Sequence, residues 1–214
     1  MKRILVAFTI MWASTIYAVK INSVGVSTGR SNSNSNIVLG YKLLDDCSHE
    51  TTFSIKNGWA LSITSEIEFK KGLTVRFDPT LSVNDIFIKH IYHSIIPPYE
   101  WPVHVDSARW FSTNLELPLA VKGAMEFRGV RPYLLLGAGL EFRLDDQEAI
   151  SGYTLSKINI NGCLGMGLQF RIWSNISAMA EARYCYRFTN GFSGTGALWE
   201  AQNNKLMIGS VYGF

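Results

Sequence analysis

This sequence predicts an all-β fold, an eight-stranded antiparallel up-and-down transmembrane β-barrel. Three observations carry that prediction. Apolar and polar residues alternate with period two, several of the runs exceeding the roughly 3 to 10 residues usual for strands of soluble proteins. The polar faces of these runs carry charges of both signs, a costly surplus on the outside of a soluble sandwich but suited to the inside of a small barrel. The connections alternate between short and long, so all long loops fall at one end, as in outer-membrane barrels.

The elements follow in chain order. Met1, Lys2 and Arg3 precede an apolar run from Ile4 to Trp12, and small residues follow at Ala13, Ser14 and Ala18. This is the three-part layout of a secretory signal peptide. Residues 1–18 are read as that signal, cut after Ala18, with Ile16 larger than the usual small residue at its position. The run is too short to span a bilayer as a helix, and no cysteine directly follows it to take a lipid anchor. Residues 19–214 then form one β-barrel domain. Two of the 20 Lys and Arg leave with the signal, so 18 face 17 Asp and Glu in a nearly neutral chain. Nucleic acid, which requires a basic surface, is excluded as a partner. Three cysteines are too few for a disulfide framework.

The first strand is read at 20–28. Both "INSVGVSTG" and "NIVLGYKLL" have strand character, with polar "RSNSNSN" between them. Counting both raises the total to as many as ten; eight is preferred, with 29–57 a long loop. Further strands are read near 58–69, 72–88, 110–122, 131–144, 154–172, 176–188 and 204–214. In the sixth and seventh the alternation is clearest: Ile158, Ile160, Leu164, Met166 and Leu168 oppose Asn159, Asn161 and Gln169, and then Ala178, Ala180, Ala182 and Tyr184 oppose Glu181, Arg183 and Cys185. Only Met179 interrupts the polar side of the latter. The short joints are Lys70–Lys71, 123–130 and 173–175; the long ones are 29–57, 89–109, 145–153 and 190–203.

Aromatic residues cluster where such strands meet the membrane interfaces. Phe69, Phe170, Trp173, Tyr212 and Phe214 mark the short-turn end, and Trp59, Phe87, Trp110, Phe142 and Phe188 the loop end. Of these, Phe69, Trp110, Phe170, Trp173, Tyr212 and Phe214 are assigned as interface anchors, and outer-membrane lipid is the implied partner of the wall. Inside, Glu66, Arg76, Glu116, Lys122, Glu141, Arg143, Arg171, Glu181 and Arg183 are expected to pair across a lumen that about eight strands leave just wide enough for side chains. Such a lumen is a plug, and solute diffusion is not its expected task. Pro118 lacks a ladder donor and points to a bulge or local break facing the lumen.

The final strand, "KLMIGSVYGF", places Leu206, Ile208, Tyr212 and Phe214 on one face and is expected to close the barrel against the first strand. It also resembles the C-terminal signal by which the barrel-assembly machinery reads bacterial outer-membrane proteins. From Trp110 onward the chain resembles the PorT-like outer-membrane β-barrel family of Bacteroidetes, in "LELPLAVK" (115–122), "RPYLLLGAGLEF" (131–142), "GMGLQF" (165–170), "EARYCYRFTN" (181–190) and the last strand. The resemblance implies an integral outer-membrane barrel, with some members belonging to a secretion and gliding apparatus, and it brings no enzymatic motif. Residues 29–57 and 89–109 align with nothing in the family.

Chemistry-bearing candidates are few. Cys163 and Cys185 lie on the polar faces of adjacent strands, each eleven residues from Ser174 at the hairpin centre. A cross-strand disulfide and two small lumen residues both account for the pair, and Cys47 stays alone. "KHIYHSII" offers His90, His93 and Ser94, which raises a lipid A deacylase type of barrel enzyme. His93 and Ser94 are adjacent, however, and adjacent strand positions face opposite sides, so they do not form a base and nucleophile. His90, His93 and His104 have no ligand spacing for a metal. Neither catalytic, cofactor nor metal residues are therefore assigned. Tyr92, Tyr99 and Trp101, beside the stiff "PPYEWP", supply amphipathic area for recognition of an unidentified surface partner. The expected function is a structural or interaction role through long extracellular loops, against the alternatives of a lipid-modifying enzyme or a small channel.

Overall fold

Period-two alternation makes a strand two-faced, and closing the ladder turns the two faces into an inside and an outside. The computed structural model describes residues 21–33, 36–44, 47–94, 102–145, 154–155, 157–188, 192–193 and 202–214, and the predicted signal segment lies outside them. Eight antiparallel wall strands close on themselves. In chain order these are β1 (Ser23–Ser33, continued by Asn36–Leu44), β2 (Cys47–Lys70), β3 (Leu73–Phe77, continued by Thr80–Ser94) and β4 (Pro102–Ala124). β5 (Val130–Arg143), β6 (Ile158–Arg171), β7 (Ile176–Arg187) and β8 (Gln202–Gly213) complete the wall. β1 seals the ring, pairing Ser23 with Gly213 of β8 on one side and with Glu66 of β2 on the other.

The two faces have opposite chemistry. Leu134, Leu136, Leu206 and Ile208 are more than 60% exposed on the outer wall, whereas Arg76, Lys122 and Thr64 inside are fully buried. This inverts a soluble core and is the arrangement that a hydrocarbon surround stabilises. The exception read in the sequence, Met179, points inward and packs with Tyr133, Leu135 and Val211 as a small apolar cluster within the polar lumen. Opposite Gly167, the Tyr133 ring occupies the space that a side chain would need: a Cβ there would lie 2.3 Å from the ring.

Short turns close one end, at Lys71–Gly72, 125–129 and 172–175. Gly72 (φ +78°) and Gly129 (φ +85°) supply the left-handed backbone those turns need.

At the other end the structure corrects the expected loops. Residues 29–57 are not a loop: Asn36–Leu44 carries β1 onward and pairs with β2 from Asn36↔Ser54 to Leu44↔Cys47. "NIVLGYKLL" is thus a strand, yet it adds no wall strand because it prolongs the first. The segment 89–109 is likewise mostly ladder, with β2, β3 and β4 paired through Cys47↔Ser94 and His93↔Pro102. Above the wall the ladder bonds persist, and with no hydrocarbon on the outer side the side chains there are released from strict alternation. A register shift between Lys56 and Trp59 lies where the ladder passes from one regime to the other, as bulges do at barrel rims. Thr154–Leu155, read as the start of the sixth strand, is separate from it: β6 begins at Ile158, and Thr154–Leu155 pairs instead with Phe192–Ser193 of the 190–203 joint.

The ladder from β4 to β5 runs through Pro118↔Gly139 without a register shift, so Pro118 makes no bulge. The interruption lies opposite it, at Asp78 and Pro79 between the two parts of β3. Two prolines face each other across that rung region and neither has an N–H to give; only Asp78 N–H reaches Pro118 C=O, at 3.3 Å.

Candidate functional site

Two features stand out as functional candidates, the filled lumen and the sheet above it. Arg76 and Asp78 stand two residues apart on the inner face of β3, and Glu181 and Arg183 two apart on that of β7. β3 and β7 are separated by three strands on either side of the eight-stranded ring, so the four side chains meet across its full width. Arg76 Nη1 donates to Glu181 Oε2 at 2.7 Å and Arg76 Nε to Asp78 at 2.8 Å. Arg183 Nη2 reaches Asp78 Oδ2 at 2.9 Å, and Arg183 Nε reaches Glu181 Oε1 at 2.9 Å. Two guanidiniums and two carboxylates therefore alternate in a closed ring that ties opposite walls together, with every side chain at most 4% exposed.

Around this clasp the other lumen charges are paired as well, although Arg143 Nε and Nη1 and Asp145 Oδ2 make no hydrogen bond among the described residues. Tyr133 donates its hydroxyl to Glu181 at 2.8 Å, and Thr64 accepts from Arg76 at 3.3 Å. Toward the short turns Lys122 Nζ bonds Glu66 at 2.7 Å and Gln169 at 3.1 Å, while lying 4.5 Å from the centre of the Tyr133 ring. Toward the loops Lys205 pairs with Glu116, Arg187 with Glu141 at 2.5 Å, and Arg143 with Asp145 at 3.8 Å. Burying such charges is costly unless they are paired.

Of the nine lumen residues read from the sequence, eight are in this system and Arg171 is not. Arg171 is on the last inward rung of β6 but lies exposed below the lumen floor, 3.3 Å from Glu126 of the neighbouring turn. Asp78 and Lys205 were not counted among the pairing residues, though Asp78 completes the clasp. Its signal was present, two residues beyond Arg76 on the same face. Cys163 and Cys185 are directly opposite in the β6–β7 ladder with Cα atoms 4.2 Å apart, and a disulfide joins them in the lumen.

Phe69, Phe170, Trp173, Tyr212 and Phe214 are all exposed on the outer wall at the short-turn end. Tyr212 and Phe214 meet edge to face at 5.3 Å. Phe127 joins them from the 125–129 turn, without having been singled out, and is 68% exposed. Trp110 pairs through its backbone with Ile86, and its side chain lies outside the described residues; the exposed aromatic at that level is Phe111.

The sheet above the wall is the second feature. It consists of the prolonged β1, β2, β3 and β4. Asp85 of β3 takes two bonds from Arg109 of β4, at 2.8 and 2.6 Å, which holds the guanidinium above its ordinary value. Tyr92 is on this ladder, at Tyr92↔His104, while the side chains of His90, Tyr92, His93, Ser94 and His104, and residues Tyr99 and Trp101 altogether, lie outside the described residues. Among the described residues no helix is long and apolar enough to cross a membrane. The crossing is made by strands.

The fold and its two-faced wall are those of a small outer-membrane β-barrel, and that membrane is where the chain resides. In fold the chain is similar to Neisserial surface protein A, with TM-score 0.54 and 15% identity over 90% of this chain and 96% of that one. It is similar to the same degree to the outer-membrane protein OprG from Pseudomonas aeruginosa, with TM-score 0.54 and 14% identity over 90% and 96%. No family model matches the chain, and no curated protein does.

Proposed function

We propose that the chain is a surface-recognition barrel, with a non-conducting body that fixes an extracellular sheet in place for a partner. The observation that carries this reading is the continuation of β1 to β4 past the wall as one antiparallel sheet, which gives a recognition surface far stiffer than free loops. The clasp between β3 and β7 supports a closed body, because a solute path would have to break four charge-assisted bonds. A non-enzymatic role is supported by the adjacency of His93 and Ser94 on β3, which sends them to opposite faces. The PorT-like resemblance of residues 115–122, 131–142, 165–170, 181–190 and the last strand favours a partner within a secretion apparatus, with β8 as the segment read by the assembly machinery.

The test is a photo-crosslinking residue placed at Lys89 or Arg109 in living cells, run beside planar-bilayer recordings of the purified barrel. One discrete crosslinked product and a silent bilayer are expected. Stepwise conductance from the wild-type barrel, or no product from any position on the sheet, would overturn the reading.

A further inference from the structure

The outer wall is not uniformly apolar. On β1 the outward face runs Val24, Val26, Thr28, Arg30, Asn32, changing from apolar to cationic and polar as it climbs. Lateral partners continue the change, since Asn32 pairs with Asn204 of β8 and Asn204 with Tyr184 of β7. Beneath this polar group opens a cleft of about 450 Å³. Its floor is Ala182, set between the larger Leu206 of β8 and Met166 of β6. The floor continues downward as a trough, because Ala180 is flanked by Ile208 and Leu168, and Ala178 by Ser210 and Phe170.

Depth gives the polar group its meaning. Arg30 lies seven residues above Ser23 and Tyr184 eight above Ile176, which at about 3.3 Å per residue and a tilt near 40° is ~20 Å above the periplasmic edge. An apolar band is ~25 Å tall, so these backbones sit in its top ~5 Å, from where the long side chains of Arg30 and Tyr184 reach the outer headgroups. Trp59, the exposed cross-strand partner of Arg30, marks the same depth with an interfacial aromatic. Arg30 is exposed, and among the described residues it has no carboxylate partner. That sets it apart from the lumen guanidiniums of Arg76 and Arg183, each held by at least two carboxylates.

We propose that this cleft binds a phosphorylated lipid of the outer leaflet, with the phosphate on Arg30 and one acyl chain in the Ala182–Ala180–Ala178 trough. Arginine presents a planar fork matched to phosphate. Asn32, Asn204 and Tyr184 supply donors and acceptors for the ester and sugar or amide groups that adjoin such a phosphate. The trough runs about 13 Å along the strand from Ala182 to Ala178, or ~10 Å of depth at a tilt near 40°, which lies within the ~15 Å half-thickness of the hydrocarbon core. A cation with no carboxylate partner among the described residues, an open apolar slot directly below it and the correct depth thus converge on one amphiphile. The site is independent of the extracellular sheet.

Native mass spectrometry of the full chain, folded in neutral detergent and offered phosphatidic acid, phosphatidylcholine or inorganic phosphate, tests this. Wild type is expected to retain phosphatidic acid over phosphatidylcholine, and Arg30→Gln to lower that retention about tenfold. Ala182→Leu, which fills the slot and leaves the charge, is expected to lower retention of both lipids while the barrel still shifts on an unboiled gel. Equal retention of phosphatidic acid by wild type and Arg30→Gln would overturn the proposal. So would displacement of the lipid by millimolar inorganic phosphate together with an unaltered Ala182→Leu variant, which would describe a free-anion site.

Discussion

The same three hairpin strands, β2, β3 and β4, live in two solvents, and their two halves obey different rules. In the wall, Glu66, Arg76 and Glu116 alternate with residues such as Ile67, Val75 and Leu117, and the two sets never exchange faces. Above the Lys56–Trp59 register shift the backbone ladder continues unbroken for ten pairs of β2 with β3, yet a charged and an apolar side chain, Asp85 and Ile86, are buried side by side there, whereas the consecutive buried residues Thr64, Ser65 and Glu66 of the wall are all polar. Alternation is therefore not a property of the β-ladder. It is imposed by hydrocarbon on one side and a filled lumen on the other, and it ends where they end.

The largest expected effect breaks the wall half of this comparison at its centre. Glu181→Ala leaves Arg76, Arg183 and the Tyr133 hydroxyl facing a void inside the barrel, and removal of one partner from a buried ion pair costs about 3–5 kcal/mol. The expected readout is a marked fall in the urea midpoint for loss of the heat-modifiable form in lipid. Replacing Arg76 by Met together with Glu181 by Leu removes one charge of each sign and leaves the Arg183–Asp78 pair at 2.9 Å. This double variant is expected to recover much of the loss, because apolar replacement of a buried pair is often neutral or better. If the double variant is as weak as the single one, the clasp acts as an indivisible unit.

A smaller effect probes the lipid-facing side. Leu136 is 69% exposed on the outer wall, between Val121 of β4 and Leu164 of β6. Leu136→Arg is expected to cost about 2–4 kcal/mol, as for cations near the midplane of a barrel wall, read from the same urea titration in vesicles. Above the rim a cation already stands exposed at Lys89. A Leu136→Arg barrel as stable as wild type would mean that this stretch does not face hydrocarbon.

The sequence could be read where a solvent imposed a pattern and could not where none did. Strands β5 to β8, the short turns, closure by the last strand and eight of nine lumen charges all followed from faces that two media keep apart. Arg171 was misassigned because the lumen ends one rung before the strand does. The extension of β1 through Asn36–Leu44 was legible as a strand but not as the same strand, since "RSNSNSN" carries no face that water would distinguish. Asp78 is legible as a residue of the charged inner face, but alternation within one strand does not show that this face meets β7 across the lumen.

The smallest expected effect sits in the upper half. Asp85 and Arg109 form two short bonds whose geometry rivals that of the clasp, at 2.8 and 2.6 Å. Geometry does not decide the outcome, because the Arg109 side chain is 64% exposed and water replaces whatever the carboxylate gave it. Arg109→Ala is accordingly expected to leave the urea midpoint of the barrel unchanged within error, with hydrogen exchange of the Ile86–Ile91 amides faster than in wild type. Both barrels would insert and shift on the gel alike. A midpoint shift comparable to that of Glu181→Ala would show that the upper sheet and the wall unfold as one cooperative unit. Unaltered exchange would show that the ladder alone, through pairs such as Ile88↔Ala108, holds the extension in place.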